Sequence, residues 1–225
     1  MKKLGFIIFV ITLSIGLIFT VNCGFGGIKS FAGIQGSGVM KTEPRNVSGF
    51  SKIEAGGAIN IEVTVQKDFS VTVEGDDNLL QHIKTEVSGD TLKIYNEGKL
   101  SMKTKVNVKI SMPEINGLNI SGASNATVTN VKSNSLELEA SGASKVKVEG
   151  EVESLKSDAS GASKIDAKNL RAENADVEAS GASSSTVFSS NELKADASGA
   201  SNIYYVGEPK NLNQKSSGAS SIKKK

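Results

Sequence analysis

The chain of 225 residues has one cysteine, one histidine, no tryptophan and three prolines. A single cysteine excludes an internal disulfide, and one Cys with one His cannot build a zinc site. Aromatic residues make up only 5% and hydrophobic residues 38%, so no thick core of large side chains is available. Twenty-six basic against 24 acidic residues leave a net charge of +2, which provides no field for nucleic acid. What remains plentiful is glycine, at 23 residues, together with small and β-branched side chains. Such a composition suits a narrow core kept thin by a repeated architecture.

The N-terminus carries the one long apolar run. Lys2 and Lys3 precede Leu4–Val21, an uncharged stretch, and Gly24–Gly27 follow it. This is the three-part form of a secretory signal, and residues 1–22 are read as a signal peptide. Cys23 stands where the run stops, the place of the lipidated cysteine in a bacterial lipoprotein signal. Thr20 and Asn22 depart from the common pattern of Leu three residues before the cysteine and a small residue just before it. Cleavage without lipid is one alternative. An uncleaved anchor is another, because the run is just long enough to span a bilayer. Each reading exports the rest of the chain to the cell envelope, as an outer-membrane or periplasmic protein. Residues 23–35 are then the lipidated Cys and a tether.

Ser-Gly-Ala-Ser occurs six times, starting at Ser121, Ser141, Ser160, Ser180, Ser198 and Ser217. Successive starts are 20, 19, 20, 18 and 19 residues apart. Leucine-rich repeats have similar periods of about 20–29 residues but need several Leu per repeat. Here the flanks alternate instead. Leu136, Leu138, Ala140, Gly142, Ser144, Val146 and Val148 share one parity, and Glu137, Glu139, Lys145 and Lys147 lie on the other. Period-two alternation is a strand with one buried face. The expected fold is therefore all-β, a right-handed parallel β-solenoid (single-stranded β-helix) with coils of about 19 residues. Six coils at ~4.8 Å spacing rise about 29 Å, and the hand follows the general preference of parallel crossovers.

Within each coil, SGAS is expected to form the sharp bend. Gly122, Gly142, Gly161, Gly181, Gly199 and Gly218 are its structural glycines, placed with the second Ser on a crowded inner side. The buried hydroxyls are expected to stack and bond each other or the backbone. Variable polar connections are expected at 130–135, 168–174 and 207–213, pinned by Val131, Leu170 and Leu212. Residues 36–115 read as irregular N-terminal coils, 116–222 as the SGAS coils and 223–225 as a basic tail. A short helix is expected over Asn78–Thr85, with Asp76 or Asp77 as its N-cap.

Gly36-Ser37-Gly38, Phe50, Ile53, Gly56–Asn60 and Val71–Leu80, with the Gly-Ser-centred turns, resemble the bacterial putative auto-transporter adhesin, head GIN domain family. The resemblance spans about residues 36–222. It implies a β-helix of the general shape of pectin-lyase solenoids and no catalytic residues. One departure is Gly-Ala-Ile-Asn where a shorter Gly-Ile-Asn is common.

No residue set points to catalysis, a metal or a cofactor. Glu74, Asp76, Asp77 and Asn78 gather oxygens suited to a hard cation, but without an EF-hand spacing, and a turn explains them as well. His82 has no sequence partner for metal or triad chemistry. Outward Glu137, Glu139, Asp158, Asp166, Glu178 and Asp196, with Lys145, Lys147 and Lys164, read as a mixed-charge outer face. The expected role is structural or adhesive, toward envelope or host macromolecules. The alternatives are a polysaccharide-binding or polysaccharide-cleaving solenoid, and a self-associating envelope component, a possible homo-oligomer.

Overall fold

The computed structural model describes residues 33–225; the Leu4–Val21 run, Cys23 and the segment before Gly33 lie outside them. The described residues are strands with a single short 3-10 turn, Leu80–His82. They form a β-solenoid whose strands stack in parallel from coil to coil. Each coil places one strand on one face, turns through SGAS, and returns on the opposite face.

The register follows the repeat. Leu118, Leu138, Ser157, Val177 and Ala195 are successive partners on one face, all buried. On the opposite face Ala126, Val146, Ile165, Ser185 and Ile203 align, all buried. Strict alternation keeps these side chains inside, because a one-residue slip would expose the whole row. The core is thus a thin double layer, as the scarcity of aromatics requires.

The SGAS turns close the coil differently from the sequence expectation. Ser124, Ser144, Ser163, Ser183 and Ser201 are buried, as expected. The glycines are not on the inner side: Gly142 and its equivalents are exposed at the turn apex. Their φ angles are 74, 70, 70, 73, 72 and 73° from Gly122 to Gly218, the left-handed region that only glycine enters without cost. Ala140 and Ser144 both point inward, four residues apart, while the apex between them points out. Parity is preserved across the turn, which is why the alternation looks unbroken in sequence.

The second connections at 130–135 and 168–174 are not loops, whereas residues 189–191 and 207–210 leave the strands in the later coils. Strands Asn125–Ala140, Lys145–Ala159 and Lys164–Ala179 run through that corner, bending at bulges between Val128 and Val131 and between Lys147 and Glu149. Parallel partners above and below satisfy the backbone there, so polar side chains do not interrupt the ladder. Val131 and Leu170 are buried at the bend, as expected, whereas Leu212 is 46% exposed in the last coil of the sequence.

Residues 36–115 are more than irregular coils. Lys52–Ala55 and Ile59–Val65 make a coil that sits out of chain order. It lies between Gly117–Ile120 and Asn125–Ala140 on one side and Thr91–Asn96 and Val106–Met112 on the other. Antiparallel pairs then finish this end, Met40–Arg45 with Ser70–Asp76 and Ile83–Ser88 with Thr91–Asn96. The expected helix over 78–85 shrinks to Leu80–His82, because Ile83 already enters the second hairpin.

Candidate functional site

Stacking converts the outward positions of each coil into straight rows. On one face Glu137, Lys156, Asp176 and Lys194 are successive partners, alternating in sign. Lys156 Nζ donates to Glu137 Oε1 at 2.7 Å, and this bond with its charge raises the Lys156 pKa. The adjoining row is acidic throughout: Glu139, Asp158, Glu178 and Asp196. On the opposite face Lys145 and Lys164 are partners, and Lys147 aligns with Asp166. Lys147 also pairs with Glu149 at 2.7 Å. The hydrogen bond from Lys147, with a second from Asn169, lowers the Glu149 pKa. An amide ladder extends the row from Asn125 through Asn60 to Asn107, with bonds of 3.0 and 3.1 Å.

The second corner opens into two grooves. One, of about 450 Å³, is lined by residues 132–134, 151–153 and 171–173 of three successive coils, with Phe188 and Ser190. The next, of about 470 Å³, is lined by residues 135–137, 154–156 and 174–176 with Glu192 and Lys194. Lys132, Glu151 and Arg171 form one row across the first groove, and Lys132 meets Glu151 at 3.5 Å. Single-sequence reasoning did not single out Lys132, Arg171 or Phe188. Their juxtaposition depends on the bulges that bend the corner, which no residue pattern there announces.

The oxygens of Glu74, Asp76, Asp77 and Asn78 are turned to local bonds. Asp76 is 1% exposed. Its carboxylate accepts from the Gly38 amide at 2.8 Å, Lys103 at 2.9 Å and Thr104 at 3.1 Å. Burial pushes this carboxyl up, and the amide bonds from Thr104, Gly38 and Lys103 more than offset it, so its pKa is lowered from the usual Asp value. A Cβ on Gly36 would lie 2.3 Å from Asp76 Oδ2, so the chain can wrap the carboxylate only as glycine. Asp77 accepts from Ser37 Oγ at 2.5 Å, and Asn78 bonds the backbone of Ser37 and Gln35. Asn107 donates to Glu74 at 3.1 Å. The expected N-cap is corrected: Leu79 holds that position without a side-chain bond. His82 ends the 3-10 turn, its amide bonded to the Leu79 carbonyl. Among the described residues no group of three or more His, Cys, Asp or Glu could hold a metal ion.

Residues 49–209 match the family model described as putative auto-transporter adhesin, head GIN domain, and the chain belongs to that family. Among solved structures it is similar to a putative adhesin from Bacteroides fragilis, with 25% identity over 86% of this chain and 100% of that one, TM-score 0.70. Putative adhesins from Parabacteroides merdae and Parabacteroides distasonis share 18% and 21% identity. In both cases 85% of this chain is covered, with 98% and 99% of theirs, at TM-scores of 0.59 and 0.58. These latter two show the fold alone. No protein of curated function matches the chain.

Proposed function

We propose that this chain is a non-catalytic adhesive module of the bacterial cell envelope, exported by its N-terminal signal and anchored through a lipid on Cys23. The observation that carries the adhesive reading is the set of outward rows held in register by the backbone ladder. Residues on three or more coils face one extended partner at a fixed spacing of ~4.8 Å. The second-corner grooves concentrate this arrangement, with Lys132 and Arg171 beside Glu151, Glu153 and Glu173. A long macromolecule crossing several coils gains many weak contacts at once, and specificity comes from the alternating charge. Membership of the adhesin family supports the same reading.

The test is binding of the full chain to arrays of envelope and host polysaccharides and matrix proteins, with release of new chain ends measured in parallel. Saturable binding without release is expected; turnover of any ligand would show a carbohydrate-active enzyme instead. For the anchor, Cys23→Ala is expected to abolish fatty-acid labelling and free the protein from membranes. Unchanged membrane association would assign the anchor to Leu4–Val21.

A further inference from the structure

The end of the solenoid where the described chain begins carries a patch that the adhesive reading does not use. Ile34 is 44% exposed, Val39 60% and Met40 51%, three large apolar side chains within seven residues. Exposed single apolar residues are ordinary, but a group of them rimmed by polar residues marks an interaction surface. The rim is basic: Lys41, Lys99, Lys103 and Lys105 are all exposed. Neither 33–41 nor 99–105 contains an acid; the flanking Glu43 and Glu97 are paired with Arg45 and Lys84, and of the neighbouring Asp76 and Asp77 the first is buried and bonded to amides, the second bonded to Ser37.

The patch is built rather than incidental. The Asp76 carboxylate holds Gly38 on the apolar segment and Lys103 and Thr104 on the basic loop at once. Ile34 pairs with Leu100 in a short parallel ladder that ties the same two segments a second time. Apolar side chains and lysines are therefore presented together on a fixed frame. Amphipathic surfaces of this type dock on anionic lipid, the apolar groups entering the headgroup boundary and the lysines remaining above it.

Chain length makes a bilayer available. Ten peptide steps separate Cys23 from Gly33, a maximum reach of about 35 Å. We infer that this end of the solenoid, through Ile34, Val39, Met40 and the surrounding lysines, docks on the surface of an anionic phospholipid bilayer. The inference rests on the anchored reading above and adds to it a defined orientation. The opposite end and the corner grooves then project from the membrane, where an adhesive surface is useful.

The absence of tryptophan provides the test. Val39→Trp, or Met40→Trp as a second variant, introduces a sole fluorophore into the patch; Asn213→Trp places one in the last coil. Each full chain, N-terminal segment included, is reconstituted with vesicles of phosphatidylcholine and phosphatidylglycerol carrying brominated acyl chains. The patch tryptophans should shift to the blue and lose about half of their emission or more, a depth consistent with interfacial burial, while Asn213→Trp stays unquenched. Reversing Lys103 and Lys105 to Glu should lower the docked-to-undocked ratio roughly fivefold or more per residue. Chains that float with the vesicles while both patch tryptophans stay unquenched would overturn the docking and leave the anchor standing. Equal quenching of Asn213→Trp, or quenching indifferent to the lysine reversal, would also overturn it. Chains that do not float with the vesicles would remove the anchored reading and this inference with it.

Discussion

The Ser163 hydroxyl donates to the Ala140 carbonyl of the preceding coil across 2.9 Å, and that same carbonyl accepts the Ser160 amide at 2.9 Å. Both lone pairs of this carbonyl, on the last residue before the turn, are thereby used. Ser144, Ser183, Ser201 and Ser220 repeat the contact with Ile120, Ala159, Ala179 and Ala197. The serine column bonds the backbone of the neighbouring coil, not its own hydroxyls. Ser163→Ala should therefore cost about 0.5–1.5 kcal/mol, since the carbonyl keeps one donor. Urea denaturation measures it, and an unchanged midpoint would remove the hydroxyl from the account.

Ser157 should respond with the opposite sign. It is 1% exposed, and its hydroxyl has no partner among the described residues. Its register neighbours are Leu138 and Val177. Ser157→Ala removes an unpaid desolvation and should stabilise by about 1 kcal/mol. The same substitution six residues from Ser163 thus raises the midpoint in one case and lowers it in the other.

Gly161 has φ of 70°, and a Cβ there would meet the Gly142 carbonyl oxygen at 2.9 Å. Gly161→Ala combines left-handed strain with a contact against stacked backbone. The expected cost is roughly 1–3 kcal/mol. Ala162 beside it is exposed, and Ala162→Ser should stay within about 0.5 kcal/mol. Thermal melts of the two variants separate turn geometry from general sensitivity of the repeat.

Asp76 makes the N-terminal end acid-sensitive. Its folded pKa is lowered from the ordinary Asp value, so the folded state binds the proton less readily than the unfolded chain. The contribution is complete above the ordinary carboxylate value and is lost as pH falls through the depressed one. Asp76→Asn should melt lower than the parent at neutral pH, and the gap should close as pH falls below about 4. Asp90 and Glu149, also lowered, are exposed and half-exposed ion-pair members that salt screens, so high salt isolates the Asp76 effect. A gap constant with pH would contradict it.

The repeat was readable because SGAS and strict alternation both survive in the residues themselves: Leu136, Leu138 and Ala140 are buried as their parity requires. The N-terminal coil was not readable, although its turn is equivalent. The Ala123 amide bonds the Gly57 carbonyl at 2.7 Å, as Ala143 bonds Gly122 at 2.8 Å. Gly56-Gly57-Ala58-Ile59 stands in register with Ser121–Ser124 but lacks the serines, and the excursion between Gln66 and Asn116 hides the period. The outward charges were recognised as a face, but the grooves depend on where bulges bend the second corner. A carboxylate before a helical turn commonly caps it, which is the expectation for Asp76 or Asp77; the amide partners of Asp76 instead lie 27 to 38 residues away.

The central claim, that the outer rows form a binding surface without catalysis, is tested most directly at Arg171. Any ligand captured on the arrays is titrated against the full chain and Arg171→Glu, with ligand length monitored throughout. Saturable binding that weakens about tenfold or more on charge reversal in the groove, with the ligand intact, is the predicted result. Binding indifferent to Arg171→Glu, or a ligand shortened by the parent chain, would contradict it.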